Sequence, residues 1–315
     1  MTIFEHWWNP YDPSSLILET VSYTTFKYSY ICFRIIDVIE LGMIRFAVCN
    51  EIFEGWSLRQ VFEYVSKLGY DGVEIAPYTI AKKVTDIGRG MRESIRRDAE
   101  NLGLDIVGIH WVLRGVNGVH LTSPDPSVRG RTESYLRALV DFCSDIGGRI
   151  IVFGSPAQRS IPRGVDPMDA WMWAIDIFRR CSQYAEQHGV YICIEPLRRD
   201  MTNFINTVDE AIKLIEDVGH PNFRLILDVY AMTGVDEPID RQIEKGGAYL
   251  MHLHANDDNM GGPGFGSADY RAVVKGLRNI GFKGYVSVEI LRREENPAEA
   301  VKISIENLKK FFREY

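Results

Sequence analysis

From Ile44 onward the chain alternates eight times between a short apolar run rich in Val and Ile and a longer amphipathic stretch. Strands that are apolar on both faces and are separated by helices suit a parallel sheet covered by helices. The runs are IRFAVCN from Ile44, DGVEIAP from Asp71, LDIVGIHW from Leu104, RIIVFGS from Arg149, VYICIEP from Val190, RLILDVY from Arg224, LMHLHAN from Leu250 and YVSVEIL from Tyr285. Eight such units predict an α/β fold closed as a (β/α)8 TIM barrel, one domain spanning residues 43–315. Gly69, Gly103, Gly189, Gly219 and Gly281 each stand just ahead of a strand and read as helix C-caps; Thr207 with Glu210 reads as a capping box. An open dinucleotide-binding sheet would place GxGxxG after its first strand, but EIFEGWS follows there. Gly262, Gly264 and Gly266 alternate only after the seventh strand and lack an acidic ribose partner.

Residues 1–42 do not share the pattern. They are rich in Tyr, Trp and Phe without a clear period, and Glu19, Lys27, Arg34, Asp37 and Glu40 break every apolar run well short of a membrane span. Glu5 stands where a signal peptide would be basic. The segment reads as an extension outside the barrel, and a translation start assigned too far upstream is one explanation. With 36 Lys and Arg against 43 Asp and Glu, the net charge of −7 gives no basic footprint for nucleic acid or an anionic membrane, so small molecules are the expected partners. Cys32, Cys49, Cys143, Cys181 and Cys193 are scattered through apolar runs with no CxxC pair, the pattern of reduced thiols in a cytoplasmic protein. A homo-oligomer, dimer or tetramer, is the expected assembly.

Several strands end in groups that ligate metals or move protons. Glu195 closes the fifth, Asp228 the sixth and Glu289 the eighth, while His254 lies near the end of the seventh, in the stretch YLMHLHANDDNMGGPGFG. In a barrel these C-terminal ends converge on one mouth. Each charge follows a Val, Ile or Leu run, where burying it is costly unless it is paired or metal-bound. Three carboxylates and one imidazole suit one divalent cation, Mn²⁺ first, with Mg²⁺ or Co²⁺ as alternatives. Two glutamates on different strands around one metal suggest proton transfer: a metal-chelated α-hydroxycarbonyl has an acidified C–H, and one carboxylate removes the proton while another returns it.

The patterns IEPL at Glu195, LDVY at Asp228, HLHAND at His254 and VSVEI at Glu289 resemble the xylose-isomerase-like TIM-barrel family of sugar isomerases and epimerases, with ketose 3-epimerase, hydroxypyruvate isomerase and inosose dehydratase members. The resemblance spans Met43 to Tyr315. It implies that Glu195, Asp228, His254 and Glu289 bind one divalent metal, and that Glu195 and Glu289 are also the acid/base pair acting through a metal-stabilised enediolate. It also marks departures. Ketose 3-epimerases carry a histidine three residues after the sixth-strand aspartate and an arginine in the loop after the seventh strand; here Ala231 and Met260 stand there. The second-metal histidine of xylose isomerases proper is replaced by Arg198.

Other residues at the same mouth are weighed against simpler roles. Glu74 and His110, ending the second and third strands, are candidates to touch substrate or to orient a metal ligand; Trp111, where a pocket wall is expected, and Arg198, just past the Glu195 turn, are further substrate-binding candidates. His252 faces inward one layer below His254 and is expected to support it by hydrogen bonding. The loop GSPAQRSIPRG brings Ser155, Gln158, Arg159 and Arg163 to the mouth, with exposed arginines the expectation. The reading is a metal-dependent epimerase or isomerase of a sugar or sugar-like α-hydroxyketone. An inosose-dehydratase-like lyase using the same site is the alternative, and a barrel that binds sugar without turning it over is the second. An endonuclease-like phosphodiesterase would need more metals, more histidines and a basic face.

Overall fold

The computed structural model describes residues 44–315, so the extension expected over residues 1–42, its boundary and Cys32 lie outside the described residues. Eight parallel strands close into a barrel in chain order, β8 pairing back onto β1. They are β1 (Arg45–Cys49), β2 (Gly72–Ile75), β3 (Asp105–Ile109), β4 (Ile150–Phe153), β5 (Tyr191–Ile194), β6 (Phe223–Asp228), β7 (Leu250–Ala255) and β8 (Tyr285–Val288), each inside its apolar run except β6, which starts one residue before the run expected from Arg224. Between them run α1 (Leu58–Leu68), α2 (Arg89–Glu100), α3 (Pro126–Asp145), α4 (Pro156–Arg159) and α5 (Pro167–Gln187). The second half holds α6 (Val208–Val218), α7 (Val229–Thr233), α8 (Ile239–Gly246), α9 (Tyr270–Asn279) and α10 (Pro297–Glu314). The architecture is a (β/α)8 TIM barrel.

The helices begin and end where side chains supply what the backbone lacks. Ser57 and Gln60 form a full capping box on α1, and Gly69 and Gly219 end α1 and α6 in the left-handed conformation. Thr207 accepts from the Glu210 amide as expected, but the Glu210 carboxylate reaches back to the Asn206 amide, one residue earlier than a capping box would have it. Apolar faces of the helices pack on the outside of the sheet around Phe62, Phe142, Phe153, Phe178 and Phe223. A smaller cluster of Ala47, Val107, Ile150, Val152, Cys193, Ile226 and Tyr285 fills the barrel interior. Gly108 is fixed by close approach: a Cβ there would run into the Ile150 carbonyl of the neighbouring strand.

Two register shifts re-aim residues that matter at the mouth. One falls between Val73 and Glu74 against β3, the other between Leu225 and Ile226 against β7, where it sets His252 opposite Ile226. Cys49, Cys143, Cys181 and Cys193 are buried free thiols. Among the described residues no helix is long and apolar enough to cross a membrane.

Candidate metal centre and active site

The four residues at the ends of β5 to β8 meet. Glu195 follows β5 directly, Asp228 ends β6, His254 is next to last in β7 and Glu289 follows β8. One ligand atom from each lies within 4.8 Å of the others, and all four side chains are buried. Among the described residues no lysine or arginine forms an ion pair with the three carboxylates; His254 Nδ1 stands 3.1 Å from Oε2 of Glu289, and the buried Arg159 guanidinium attracts Glu195 more weakly. Clustered carboxylates with so little positive compensation are neutralised by protons or could hold a cation. Three oxygens and one nitrogen fit Mn²⁺, Mg²⁺ or Co²⁺ better than a metal preferring thiolate.

Electrostatics in the ion-free protein point the same way. Burial, then the neighbouring carboxylates, push Glu195 up to about 8 despite the His254 charge; burial and Glu289 push Asp228 up to about 6. Burial works against a charge on His254, yet Glu289 and Glu74 outweigh it and raise its pKa well above the usual imidazole range. Burial also opposes ionisation of Glu289, but His254 prevails and holds it below the usual carboxylate value. Raised carboxyls and a raised imidazole offset part of the cluster's negative charge, and a divalent cation binding there would displace those protons.

Beneath this centre Glu74 gathers three imidazoles. It is wholly buried, with His252 Nε2 2.7 Å from its Oε2, His254 Nε2 3.1 Å from its Oε1 and His110 Nδ1 3.5 Å from the same oxygen. Burial disfavours its charge, but His252, His254 and His110 more than compensate and hold its pKa well below the ordinary range. With Glu74 engaging Nε2 of His254, Nδ1 is the nitrogen turned to the centre. A carboxylate behind a metal-binding histidine fixes its tautomer and ring orientation. Cys49, also wholly buried, completes a floor with Glu74, His110 and His254.

The pocket above is walled by Trp111, Leu197, Met201, Tyr230, Ala231 and Leu291, with His110, Ser155, Glu195, Asp228, His254 and Glu289 supplying its polar side. Trp111 has φ 50°, a costly left-handed conformation for a bulky residue, and its indole Nε1 donates to Oε1 of Glu289 at 3.0 Å. Ser155 is also left-handed, and its buried Oγ has no hydrogen-bond partner in the protein. At the opposite end of the barrel another opening is lined by Arg45, Asp105 and Tyr285, which bond to one another.

The remaining sequence candidates divide. His110 and Trp111 line the pocket, whereas Glu74 and His252 lie below it, with no surface to offer a substrate. Arg198 is not in the lining; its guanidinium lies 4.7 Å over the Tyr230 ring and packs on Gly234. Arg159, expected exposed, is wholly buried: Nη1 donates to the Glu195 carbonyl at 2.6 Å and Nη2 to that of Ile205 at 3.0 Å. The Ile205 carbonyl also accepts from the Leu197 amide, so Arg159 ties the tip of β5 to the loop that follows it. Met260 is 40% exposed and outside the pocket wall. The glycines after β7 serve packing, Gly262 against Ser304 and Gly266 against Asp257 and Asp258. Sequence reading missed Glu51, in the 3-10 turn after β1, whose Oε2 stands 2.7 Å from His110 Nε2. Its signal was available: a carboxylate just past a barrel strand, as at Glu195 and Glu289.

A family model for the xylose isomerase-like TIM barrel matches residues 62–311. The chain belongs to the xylose isomerase-like TIM-barrel family. It is 28% identical over 231 residues to D-psicose 3-epimerase of Ruminiclostridium cellulolyticum, covering 72% of this chain and 76% of that protein. It is 26% identical over 265 residues to 3-dehydro-D-guloside 4-epimerase of Escherichia coli, covering 81% and 95%. The solved structure of D-psicose 3-epimerase from Clostridium cellulolyticum H10 with D-tagatose superposes with a TM-score of 0.75 at 22% identity, over 85% of this chain and 99% of that one. Within this family fold, Ala231 of the present chain lines the pocket and its amide donates to Oδ1 of Asp228 at 2.7 Å, so position 231 orients the aspartate through its backbone alone.

Proposed function

We propose that this protein is a divalent-metal-dependent epimerase or isomerase of a sugar or sugar-like α-hydroxyketone. The observation that carries the reading is the convergence of Glu195, Asp228, His254 and Glu289, two of them glutamates from different strands, at the mouth of the barrel. Relatives that act as sugar 3-epimerases and a 4-epimerase support it. A divalent cation held by the four residues supplies positive charge beside the carbonyl and hydroxyl oxygens of the substrate, which acidifies the C–H between them.

The protein's own residues do the rest. Glu289 is kept ionised by His254 and oriented by the Trp111 indole, so its carboxylate takes the proton from carbon. Glu195, on the strand end across the site, carries the complementary carboxyl and returns a proton to the other face, inverting the centre. Return to the neighbouring carbon gives aldose–ketose isomerisation instead. Arg159 fixes the backbone from which Glu195 projects, and the Ser155 hydroxyl is free to bond a substrate oxygen. Trp111 and Tyr230 shield the reacting carbon from water.

The test is product analysis by ¹³C NMR after incubating the Mn²⁺-loaded protein with ketoses, keto-glycosides and inososes. One substrate converting to its epimer or isomer is the expected result. A dehydrated product would replace this reading with the lyase, and no conversion of any substrate by protein that binds Mn²⁺ would replace it with the binding barrel.

A further inference from the structure

Beside the four-residue centre lies a second set of ligand atoms, which converge without hydrogen-bonding to one another. Glu51 after β1, His110 after β3 and Glu289 after β8 each place one ligand atom within 4.8 Å of the other two. The side chains of Glu51 and His110 are 8% and 1% exposed. Although His110 Nε2 stands 2.7 Å from Glu51 Oε2, the groups are not aligned for a hydrogen bond, and both Glu51 oxygens and both His110 nitrogens lack a hydrogen-bond partner. A carboxylate buried beside a second carboxylate is unfavourable unless a proton or a cation neutralises it. Unbonded ligand atoms this close together are what an ion-binding site presents. The floor made by Cys49, Glu74, His110 and His254 is a poorer candidate, because Glu74 already engages the imidazoles and the thiol is sealed from the pocket.

We propose that Glu51, His110 and Glu289 form a second divalent-cation site, joined to the first through the shared Glu289 carboxylate. Two oxygens and one imidazole nitrogen suit Mn²⁺ or a similar ion, with water completing the coordination. Paired ions bridged in this way lie about 3.5–4 Å apart in two-metal sites. Glu289 is also the group proposed to take the substrate's proton, and a second cation on it lowers its basicity. Filling the second site therefore inhibits turnover; this consequence rests on the epimerase reading, whereas the site itself does not.

The experiment is equilibrium dialysis of the full chain against Mn²⁺ with metal analysis, alongside Mn²⁺ EPR, for wild type, Glu51→Gln and His110→Asn. Wild type is expected to hold two ions per chain at saturation, the second more weakly, with an exchange-coupled pair spectrum. Both variants, shown folded by circular dichroism, are expected to hold one ion with an uncoupled spectrum. One ion per chain in saturated wild type, two ions without coupling, or two ions retained in Glu51→Gln overturns the site. Should the variants fail to fold, the wild-type stoichiometry and coupling decide alone. Turnover that falls as the second ion loads supports the inhibitory role, and turnover that rises overturns it. Two coupled ions without turnover on any substrate would leave the site standing and count against the epimerase reading.

Discussion

Replacing Glu74 with Gln tests whether the metal centre depends on the carboxylate beneath it. With Glu74 ionised, Nε2 of both His252 and His254 can donate to it, at 2.7 and 3.1 Å. An amide keeps the shape but offers a single carbonyl oxygen, and its NH₂ faces the other imidazole N–H. One charge-assisted bond is lost, about 1.5–3 kcal/mol in a buried setting. Removing the outer partner of a metal-binding histidine weakens metal by roughly 10–100-fold, or about 1.4–2.7 kcal/mol. The two ranges overlap, so Glu74→Gln is expected to raise the Mn²⁺ Kd by one to two orders of magnitude while the fold survives. Calorimetric titration with Mn²⁺ measures the affinity, and circular dichroism with urea unfolding of the ion-free protein checks the fold. A folded variant that binds Mn²⁺ within twofold of wild type would show that Glu74 does not orient His254.

Two further perturbations follow from buried charge. Arg159→Met strips two strong donors from the Glu195 and Ile205 carbonyls, and urea unfolding is expected to show a loss of roughly 3–5 kcal/mol; a loss under about 1 kcal/mol refutes the tie. In the ion-free protein Glu195, at about 8, and Asp228, at about 6, are carboxyls raised above their unfolded values, so the stability they lend is complete below about pH 4 and declines as pH rises through 6 and 8. The raised His254 acts in the same direction above its unfolded value. Chelated protein is expected to lose thermal stability from pH 5 to 8, and Mn²⁺ is expected to bind more tightly over that range with protons released, as calorimetry in buffers of different ionisation enthalpy records. Flat stability together with no proton release contradicts the assignment.

The eight strands were legible because both their faces are buried, which leaves continuous Val and Ile runs, and Glu195, Asp228, His254 and Glu289 stood out as the groups breaking those runs at their C-terminal ends. Inward parity was legible for Glu74, His110 and His252, but depth was not: only the closed barrel shows that Glu74 lies under the pocket while His110 opens onto it. Arg159 misled because its acceptors are 36 and 46 residues away, so a loop rich in Ser, Pro and Gly gave no local sign that an arginine would turn inward. Arg198 lies just past the metal-site turn, yet stacking on Tyr230 carries it outside the pocket wall. Glu51 carries the same sign as Glu195 and Glu289, a carboxylate just past a strand, but it stands two residues on, in a turn whose inward direction is set by the fold.

The central claim is that Glu289 removes a carbon-bound proton at a metal-dependent site. The measurement that tests it most directly is solvent-deuterium incorporation at the carbon beside the carbonyl, followed by NMR across a panel of ketoses, inososes and small hydroxyketones. Wild type is compared with Glu289→Gln, with Mn²⁺ present and with metal chelated. The account predicts exchange in at least one substrate, abolished both by chelation and by Glu289→Gln. Exchange that continues at the wild-type rate in Glu289→Gln, or in chelated protein, would contradict it.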